Sequence, residues 1–342
     1  MLKAPEHQVA GHQARDGQLG PLVDGSGLFY KPLQSDDRGA TELAFYTSFS
    51  SDPQIPAQIR SFFPGFHGTQ LLHASDGSGL HPHLVLDDLL AGFRLPSVID
   101  VKIGSRTWLP SSSDDYFRKC VAKDIETTSA LLGFRISGLQ INDDRGFWRP
   151  GRDAVRRFNS NDVRRALRRF VSSDPVASDD CDPDCAFASA VYGGSTGVLS
   201  QLLELKAWFE GQTLFHFCSA SVLVAYEKDG SKKSDGDGGS AGARVRLVDF
   251  AHVAEGDGVI DHNFLGGLCS LIKFISDILQ GFCGESSDAK CYLNGDVILQ
   301  LLGHSTTKRK ASTFKRNPTT TSSPTRPTVQ FAAVRPPAVL HS

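Results

Sequence analysis

The chain has 342 residues, 40% of them hydrophobic and 22% charged, with a formal net charge of −2. That is an ordinary soluble globular composition, long enough for one large domain or two lobes sharing a core. No apolar run reads as long enough to span a membrane, and the N-terminus lacks the charged-then-apolar pattern of a secretory signal. Global charge excludes no partner, because the charge is uneven. Nine arginines lie between Arg145 and Arg169, and Lys308, Arg309, Lys310, Lys315 and Arg316 cluster near the C-terminus, whereas Asp179, Asp180, Asp182 and Asp184 form an acidic knot. The seven cysteines include no C-x-x-C pair, and Cys181 and Cys185 lack a histidine pair at zinc-site spacing. Reduced thiols in an intracellular protein are expected.

In chain order, residues 17–31 read as strand–turn–strand, punctuated by Gly17, Gly20, Gly25 and Gly27 and ending in Leu28-Phe-Tyr-Lys31. After a polar turn, Arg38-Gly-Ala-Thr-Glu42-Leu-Ala-Phe-Tyr46 has helical spacing. Leu84 to Leu89 reads as a short strand carrying Asp87 and Asp88. A connector to Leu95 leads into Pro96-Ser-Val-Ile-Asp100-Val-Lys102-Ile-Gly104. With Val98 to Ile103 as a strand, Asp100 and Lys102 share one face, and two charges on a buried strand face point to a polar ligand. Tyr116 to Leu132 reads as a helix on which Lys119 and Lys123 share a face at i, i+4, with Arg118 beside them; a solvated basic face is the plain alternative.

Val155 to Val171 reads as a second, strongly basic helix. Its Arg156, Arg157, Arg164, Arg165, Arg168 and Arg169 are expected to form a solvated surface or a nuclear-import contact; nucleic acid is the less favoured partner. Residues 172–197 read largely as loop and Val198 to Phe209 as helix. Phe217 to Tyr226 and Val245 to Phe250 read as strands separated by a Gly/Ser/Asp/Lys linker at 230–242, and Leu265 to Leu279 as an apolar helix. From about Gly303 the composition turns to Thr, Ser, Pro and basic residues, which predicts a disordered tail. The order of elements predicts a two-lobed α+β protein.

Several ordered motifs carry a family resemblance. Pro96 to Gly104 has the P-x-x-x-D-x-K-x-G pattern of inositol polyphosphate kinases at every fixed position. Leu28-Phe-Tyr-Lys31-Pro-Leu-Gln34 with Glu42-Leu-Ala-Phe-Tyr46, Leu84-Val-Leu-Asp87-Asp88-Leu89, Ser221-Val-Leu223, Arg246-Leu-Val-Asp249-Phe-Ala-His252 and Asp261-His-Asn-Phe264 resemble further segments of that family in order. Valine stands for leucine in the S-L-L segment and for isoleucine in the I-D-F segment. The resemblance covers roughly residues 10–280 and is closest in context to the plant multikinases. It implies an inositol polyphosphate kinase fold, protein-kinase-like or ATP-grasp-like, with nucleotide between an N-lobe of residues 1–89 and a C-lobe of residues 90–302. The inositide-binding helix falls within about 105–133, and residues 303–342 form a basic tail.

The resemblance also implies roles. Lys31 and Glu42 match the strand-lysine and helix-glutamate pair that holds nucleotide phosphates. Asp87 and Leu89 lie at the adenine hinge, Asp100 takes the ribose hydroxyls, and Lys102 points at the transferred phosphate and the attacking hydroxyl. Asp249 is the metal ligand, as suits a carboxylate ending an apolar strand; Ser221 supports that shell and His252 lies near the substrate. Arg38, Arg118, Lys119 and Lys123 face inositide phosphates. Where relatives carry a basic residue, this chain has Gln140. Asp261 to Phe264 are expected to be structural.

The implied activity is ATP- and Mg²⁺-dependent 6- and 3-phosphorylation of soluble inositol tris- and tetrakisphosphates, ending at the pentakisphosphate. A diphosphoinositol-forming kinase and a non-catalytic inositide-binding scaffold or transcriptional cofactor are the alternatives. A monomer in nucleus and cytoplasm, with nuclear protein partners, is expected. A conventional protein kinase is disfavoured, because the sequence has neither an H-R-D-x-x-x-x-N loop nor a G-x-G-x-x-G turn.

Overall fold

The computed structural model describes residues 1–11, 19–143, 146–176, 181–228 and 242–285, the last four by backbone alone. The linker at 230–241, the residues Asp179 and Asp180, and the tail from Gly303 lie outside the described residues.

A hairpin, β1 (Leu22–Val23) and β2 (Leu28–Pro32), opens the first sheet. The Asp24 carboxylate ties its turn, accepting from the Ser26 amide and hydroxyl, the Leu28 amide and the Tyr30 hydroxyl. Helix α1 (Asp37–Ser51) is capped by the Asp36 side chain and buries Gly39, Glu42, Phe45, Tyr46 and Phe49, the three-and-four spacing of one helical face. A Cβ at Gly39 would overlap the Gln34 carbonyl, so only glycine fits there. After α2 (Ala57–Arg60), β3 (Phe66–His73) and β4 (Leu80–Asp87) complete an antiparallel sheet of order β1-β2-β4-β3. The predicted strand at Leu84 is thus the end of a longer one, and β3 lacked a legible signal: most of its side chains are exposed and keep no alternation.

The second sheet has β5 (Ser97–Ile103) at its centre. Next come α3 (Asp114–Glu126), α4 (Ser129–Leu132), β6 (Phe134–Asp143), β7 (Gly146–Trp148), α5 (Arg152–Arg156), α6 (Ser160–Phe170), α7 (Ala188–Val191) and α8 (Val198–Phe209). The chain ends its described course with β8 (Phe215–Phe217), β9 (Ser221–Tyr226), β10 (Arg244–Val248), β11 (Val253–Glu255) and α9 (His262–Glu285). The five strands run in the order β10-β9-β5-β6-β7, every neighbouring pair antiparallel, and β11 pairs with β8. The α+β expectation is met.

Three predicted helices differ from the observed ones. The helix predicted over 116–132 is two pieces, because the Thr127 amide and hydroxyl both bond back to the Lys123 carbonyl and end α3. The helix predicted over 155–171 breaks before a capping box: Asn159 accepts from the Asp162 amide, and Asp162 accepts from the Asn159 amide. Helix α9 begins three residues earlier than predicted and, by length and composition, could cross a membrane, contrary to the sequence expectation. Its buried stripe of Phe264, Leu268, Leu271, Ile272, Ile275 and Ile278 is nevertheless the pattern of a helix packed on a protein core.

Of the predicted solvated surface, Arg156, Arg157 and Arg164 are exposed as expected, but the arginines of α6 also brace the fold. Arg164 lies over the Phe274 ring, Arg165 and Arg168 donate to the carbonyls of Cys181 and Pro183, and buried Arg169 stacks on Trp148.

The glycine closing the Pro96–Gly104 run has a packing reason. Gly104 has φ +112°, its amide donates to the Gly133 carbonyl at 2.7 Å, and a Cβ there would meet the Asn263 side chain. Asn263 in turn accepts from the Arg106 amide, so α9 is locked onto the end of β5.

Candidate active site

Asp249 is where three parts of the chain meet. It follows β10 with φ +68°, a left-handed conformation that costs a non-glycine residue roughly 1–2 kcal/mol. Its neighbour Phe250 holds it there. The Phe250 ring is fully buried 4.4 Å from Phe45 of α1, and its amide donates to Glu42 Oε1 at 3.1 Å. The Asp-Phe order therefore pairs a functional carboxylate with its own anchor.

Lys31, at the end of β2, reaches Glu42 Oε1 at 2.7 Å and Asp249 Oδ1 at 3.0 Å. Glu42 is only 2% exposed, so this pair is an interior one and joins the first sheet, α1 and the second sheet. Burial works against the charge on Lys31, but Glu42 and Asp249 outweigh it and hold its pKa above the ordinary value. Lys102 approaches the other oxygen, Asp249 Oδ2, at 3.6 Å and donates to the Ser219 carbonyl at 2.6 Å. Ser219 is also left-handed, with φ +61°. Two strained residues thus aim their oxygens at one ammonium, as sites that trade backbone strain for placement do.

The Asp249 carboxylate is partly open to solvent, with 43% of its side chain accessible. Its surroundings raise its pKa by desolvation, but Lys31 and then Lys102 lower it further, and it is held well below the usual carboxylate range.

Asp100 and Lys102 do share a face of β5, as alternation predicts. Register places Ser221 of β9 directly across from Lys102, and Arg135 of β6 across from it on the other side. Asp100 is buried; desolvation pushes its carboxyl up to about 6 against the pull of Lys102, while Asp249 pushes it further up. Asp100 Oδ1 and Ser221 Oγ are buried and form no close hydrogen bond, although the Ser221 hydroxyl lies near enough to Asp100 to lower its pKa. Such orphaned atoms at a charged cleft mark where a ligand makes the missing bonds.

Among the described residues no group of three or more His, Cys, Asp or Glu side chains converges as a metal cage. A Mg²⁺ ion, however, is commonly held by one or two carboxylates together with water and substrate phosphates. Asp249, with the Ser221 hydroxyl on the neighbouring strand, is a donor set of that kind, and Asp100 Oδ1 is left for another ligand group.

A second group of cations lies beyond Lys102. Lys123 of α3 is lowered in pKa by burial, then by Arg135 and Lys102. Arg135 is buried and pinned by Asp124 at 3.2 Å and by the Ser129 hydroxyl at 2.6 Å. Arg38, in the first turn of α1, pairs with Asp36 and lies close enough to His252 to lower its pKa, after burial and ahead of Lys102. Lys119 stands one turn before Lys123. Arg118 is 70% exposed and spent on Asp115, so the structure does not bring it to the cluster. Gln140 bonds to Asn142 and Arg149.

At the hinge, the Asp87 amide donates to the Gly65 carbonyl, the Asp87 carboxylate binds the Gly65 amide and His67, and the Leu89 carbonyl accepts from Arg244. Asp261 and Asn263 spend their side chains on backbone groups of Phe217, Phe264 and Arg106.

Sequence reasoning missed Arg135, Ser219 and Tyr116, whose hydroxyl lies 3.0 Å from His252 Nε2. Arg135 had one available signal, its place in a run that pairs with β5, but β6 is buried on both faces and shows no alternation to betray it.

Comparisons with known proteins point to one family. The sequence profile of the inositol polyphosphate kinase family matches residues 83–276, more than half of the chain. Inositol polyphosphate multikinase beta of Arabidopsis thaliana is 59% identical over 283 residues, which span 82% of this chain and 94% of that protein. A solved inositol phosphate multikinase, 48% identical, superposes with a TM-score of 0.59 over 69% of this chain and 99% of its own. A Saccharomyces cerevisiae inositol phosphate multikinase, solved with ADP and Mn²⁺, is 22% identical, has a TM-score of 0.55 over 74% of this chain and 99% of its own, and shares the fold. The fold, the motifs and the identity agree: this chain belongs to the inositol polyphosphate kinase family.

Proposed function

We propose that the chain is an ATP- and Mg²⁺-dependent inositol polyphosphate multikinase. It adds phosphate at the 6- and 3-positions of inositol 1,4,5-trisphosphate, through the tetrakisphosphate to inositol 1,3,4,5,6-pentakisphosphate. The observation that carries this reading is the convergence of Lys31 and Lys102 on the two oxygens of Asp249, beside the orphaned oxygens of Asp100 and Ser221.

Nucleotide lies between the lobe of residues 1–89 and the lobe of residues 90–302. The hinge presents the Asp87 carbonyl and the Leu89 amide to adenine, since the other backbone group of each is already used. Asp100, largely ionised above pH 6, accepts the ribose hydroxyls with the oxygen that lacks a partner. Lys31 binds the nucleotide phosphates, kept charged and aimed by Glu42. Asp249, with support from Ser221, would hold a divalent cation, which would supply positive charge to neutralise the nucleotide phosphates. Lys102 follows the charge of the transferred phosphoryl group, because its ammonium sits between the metal carboxylate and the cationic side of the cleft. Lys119, Lys123, Arg38 and His252 hold the acceptor's phosphates, and Arg118 contributes at most long-range attraction. Nuclear and cytoplasmic residence, with nuclear partners, is proposed on the basic clusters of the tail.

The test is incubation with inositol 1,4,5-trisphosphate and ATP–Mg²⁺, with products separated by charge and isomer. Sequential appearance of tetrakis- and pentakisphosphate is expected. Diphosphorylated products from inositol hexakisphosphate would favour the diphosphoinositol-forming alternative, and inositide binding without any product would favour a scaffold.

A further inference from the structure

Residues 3–11 run as a strap from one sheet to the other. At its start Lys3 pairs with Val23 of β1, amide to carbonyl in both directions at 3.0 and 2.8 Å. At its end the Gln8 carbonyl accepts from Arg149 at 2.6 Å and the Gly11 carbonyl from Arg152, in the stretch that leads from β7 into α5. Between these ties Val9 is buried against Val98 of β5 and Ala225 of β9, with Leu90, Phe93 and Leu223 packed around them. None of the motifs assigned above gives the strap a role.

We infer that the strap is a positioning element of the nucleotide site, and that Val9 sets the spacing between the hinge and Asp100. It acts through the connector and the sheet floor and leaves the acceptor side alone. The inference rests on the kinase reading proposed above.

The strap lies on the face that Asp100 presents. Asp100 pairs with Leu223 of β9 on one side and Gly138 of β6 on the other, and directly paired residues point to one face of a sheet. A Cβ on Gly138 would stand 2.1 Å from the Val9 carbonyl oxygen, so the strap's backbone rests on that glycine, in the same row as the Asp100 carboxylate. Glycine inside a strand weakens it, and close approach of another backbone is a physical reason to have one. In the next row Val98 pairs with Ala225 and Gln140. Val9 covers the first two, and Gln140 accepts from Arg149, which also holds the Gln8 carbonyl.

Leu90 and Phe93 belong to the connector between the hinge and β5. The Arg244 guanidinium lies 4.3 Å over the Phe93 ring and donates to the Leu89 and Ala91 carbonyls. The connector is thus gripped by Arg244 and packed against Val9. One nucleotide must reach both the Asp87–Leu89 backbone and the Asp100 carboxylate, which stand on different elements with this connector between them. A close-packed interior holds that spacing, and a void under the connector lets it shift. The acceptor-side cations are carried by α1 and α3, and neither helix contributes to this small cluster.

Two substitutions reach the contact from opposite sides. Val9→Ala empties the space under the connector, and Gly138→Ala puts a methyl group where the Val9 carbonyl stands. Amide hydrogen exchange of the ligand-free chain reads the connector without any turnover. The Ala91, Phe93 and Leu95 amides, bonded to Asp88, Leu90 and Glu227, should exchange slowly in the wild type and faster in both variants. Calorimetry with ADP–Mg²⁺ should show binding weakened by about 10-fold in each variant, the size of one neutral hydrogen bond lost. The ATP KM should rise to match, with the KM for inositol 1,4,5-trisphosphate unchanged. The double variant should be no weaker than either single one, because both act through one contact. Val9→Ala, which adds no atoms, carries the test if Gly138→Ala fails to fold.

Equal rises in the ATP and acceptor KM values would make the strap a general support of the fold and overturn the inference. So would unchanged ADP binding in Val9→Ala, or a double variant that loses the product of the two single effects. A wild-type chain whose ADP affinity depends on Val9 in this way, but which never phosphorylates the trisphosphate, would overturn the acceptor proposed above and not the strap.

Discussion

The two sides of the cleft are built differently. On the side proposed to hold nucleotide, charges stand at strand ends and in the first helix, and each is held by at least two neighbours: Lys31 by Glu42 and Asp249, Lys102 by Ser219 and Asp249, and Glu42 by Lys31 and the Phe250 amide. On the acceptor side, the cations ride on the outer face of α3 and the first turn of α1, and Arg38 and Arg118 pair only with exposed aspartates. Fixed charges suit a donor that is always ATP, because a preorganised site spends nothing on reorganisation during transfer. Loosely held cations suit acceptors whose phosphates change position from one round to the next. Substitutions on the first side should therefore act on kcat, and on the second side on KM.

The largest effect is expected from Asp249→Asn. Asparagine tolerates the left-handed conformation at this position, so the backbone has no reason to move. Turnover should fall by roughly 10³-fold, at the upper limit of what one lost electrostatic contact costs. Circular dichroism should match the wild type. Near-normal turnover would remove Asp249 from the metal site and with it the distinction between the two sides.

Lys102→Ala comes next. It stands at the border, bonded to the nucleotide-side carboxylate and near enough to Lys123 to lower its pKa. Loss of kcat by about 10²-fold, with a modest change in acceptor KM, would place it with the transition state. If only the acceptor KM rises, Lys102 belongs to the flexible side.

The same difference explains what could be read from the sequence. Asp100, Lys102 and Gly104 lie within one contiguous run, because one central strand supplies both charges and its closing turn. The Lys31–Glu42 pair and Asp249 were legible through the resemblance of their segments to the family, whereas the anchoring part of Phe250 was not. Arg135, Ser219 and Tyr116 were not legible, since each owes its importance to a partner more than a hundred residues away or across an unrecognised strand. Long-range pairings of that kind leave no periodicity. The arginines of α6 misled in the opposite sense, because composition showed a basic face and could not show Trp148, Phe274 and the carbonyls waiting for it.

A smaller effect is expected in the pH dependence of stability. Asp100 has its pKa raised in the folded chain from 3.8 to about 6, chiefly by desolvation. Between those values the folded chain keeps a proton that the unfolded chain has lost, so this contribution to stability fades as pH rises through the window. Asp249 runs the other way: its pKa is depressed, so its contribution is present above the unfolded value and is lost as pH falls towards the folded one. Urea midpoints of Asp100→Asn should gain on the wild type as pH rises from about 4 to about 6.5 and then run parallel. Profiles that stay parallel throughout would mean that Asp100 carries no buried-charge cost.

The smallest effects, and the sharpest test of the comparison, lie within α3. Lys123 is exposed on α3 but has its pKa lowered, first by desolvation and then by Arg135 and Lys102, whereas Arg118, five residues earlier, is exposed and spent on Asp115. A solvent-exposed pair is worth ~1 kcal/mol or less, so Arg118→Ala should change the acceptor KM by less than ~2-fold. Lys123→Ala removes a cation that lies near Arg135 and Lys102 and should raise it by about 10-fold, with the ATP KM unchanged. The effect should shrink at higher salt, because the Debye length falls to about 3 Å at 1 M and screens exposed charges. Equal effects from the two substitutions would mean that α3 attracts inositides as a diffuse basic surface, and that the acceptor side has no defined phosphate subsite at Lys123.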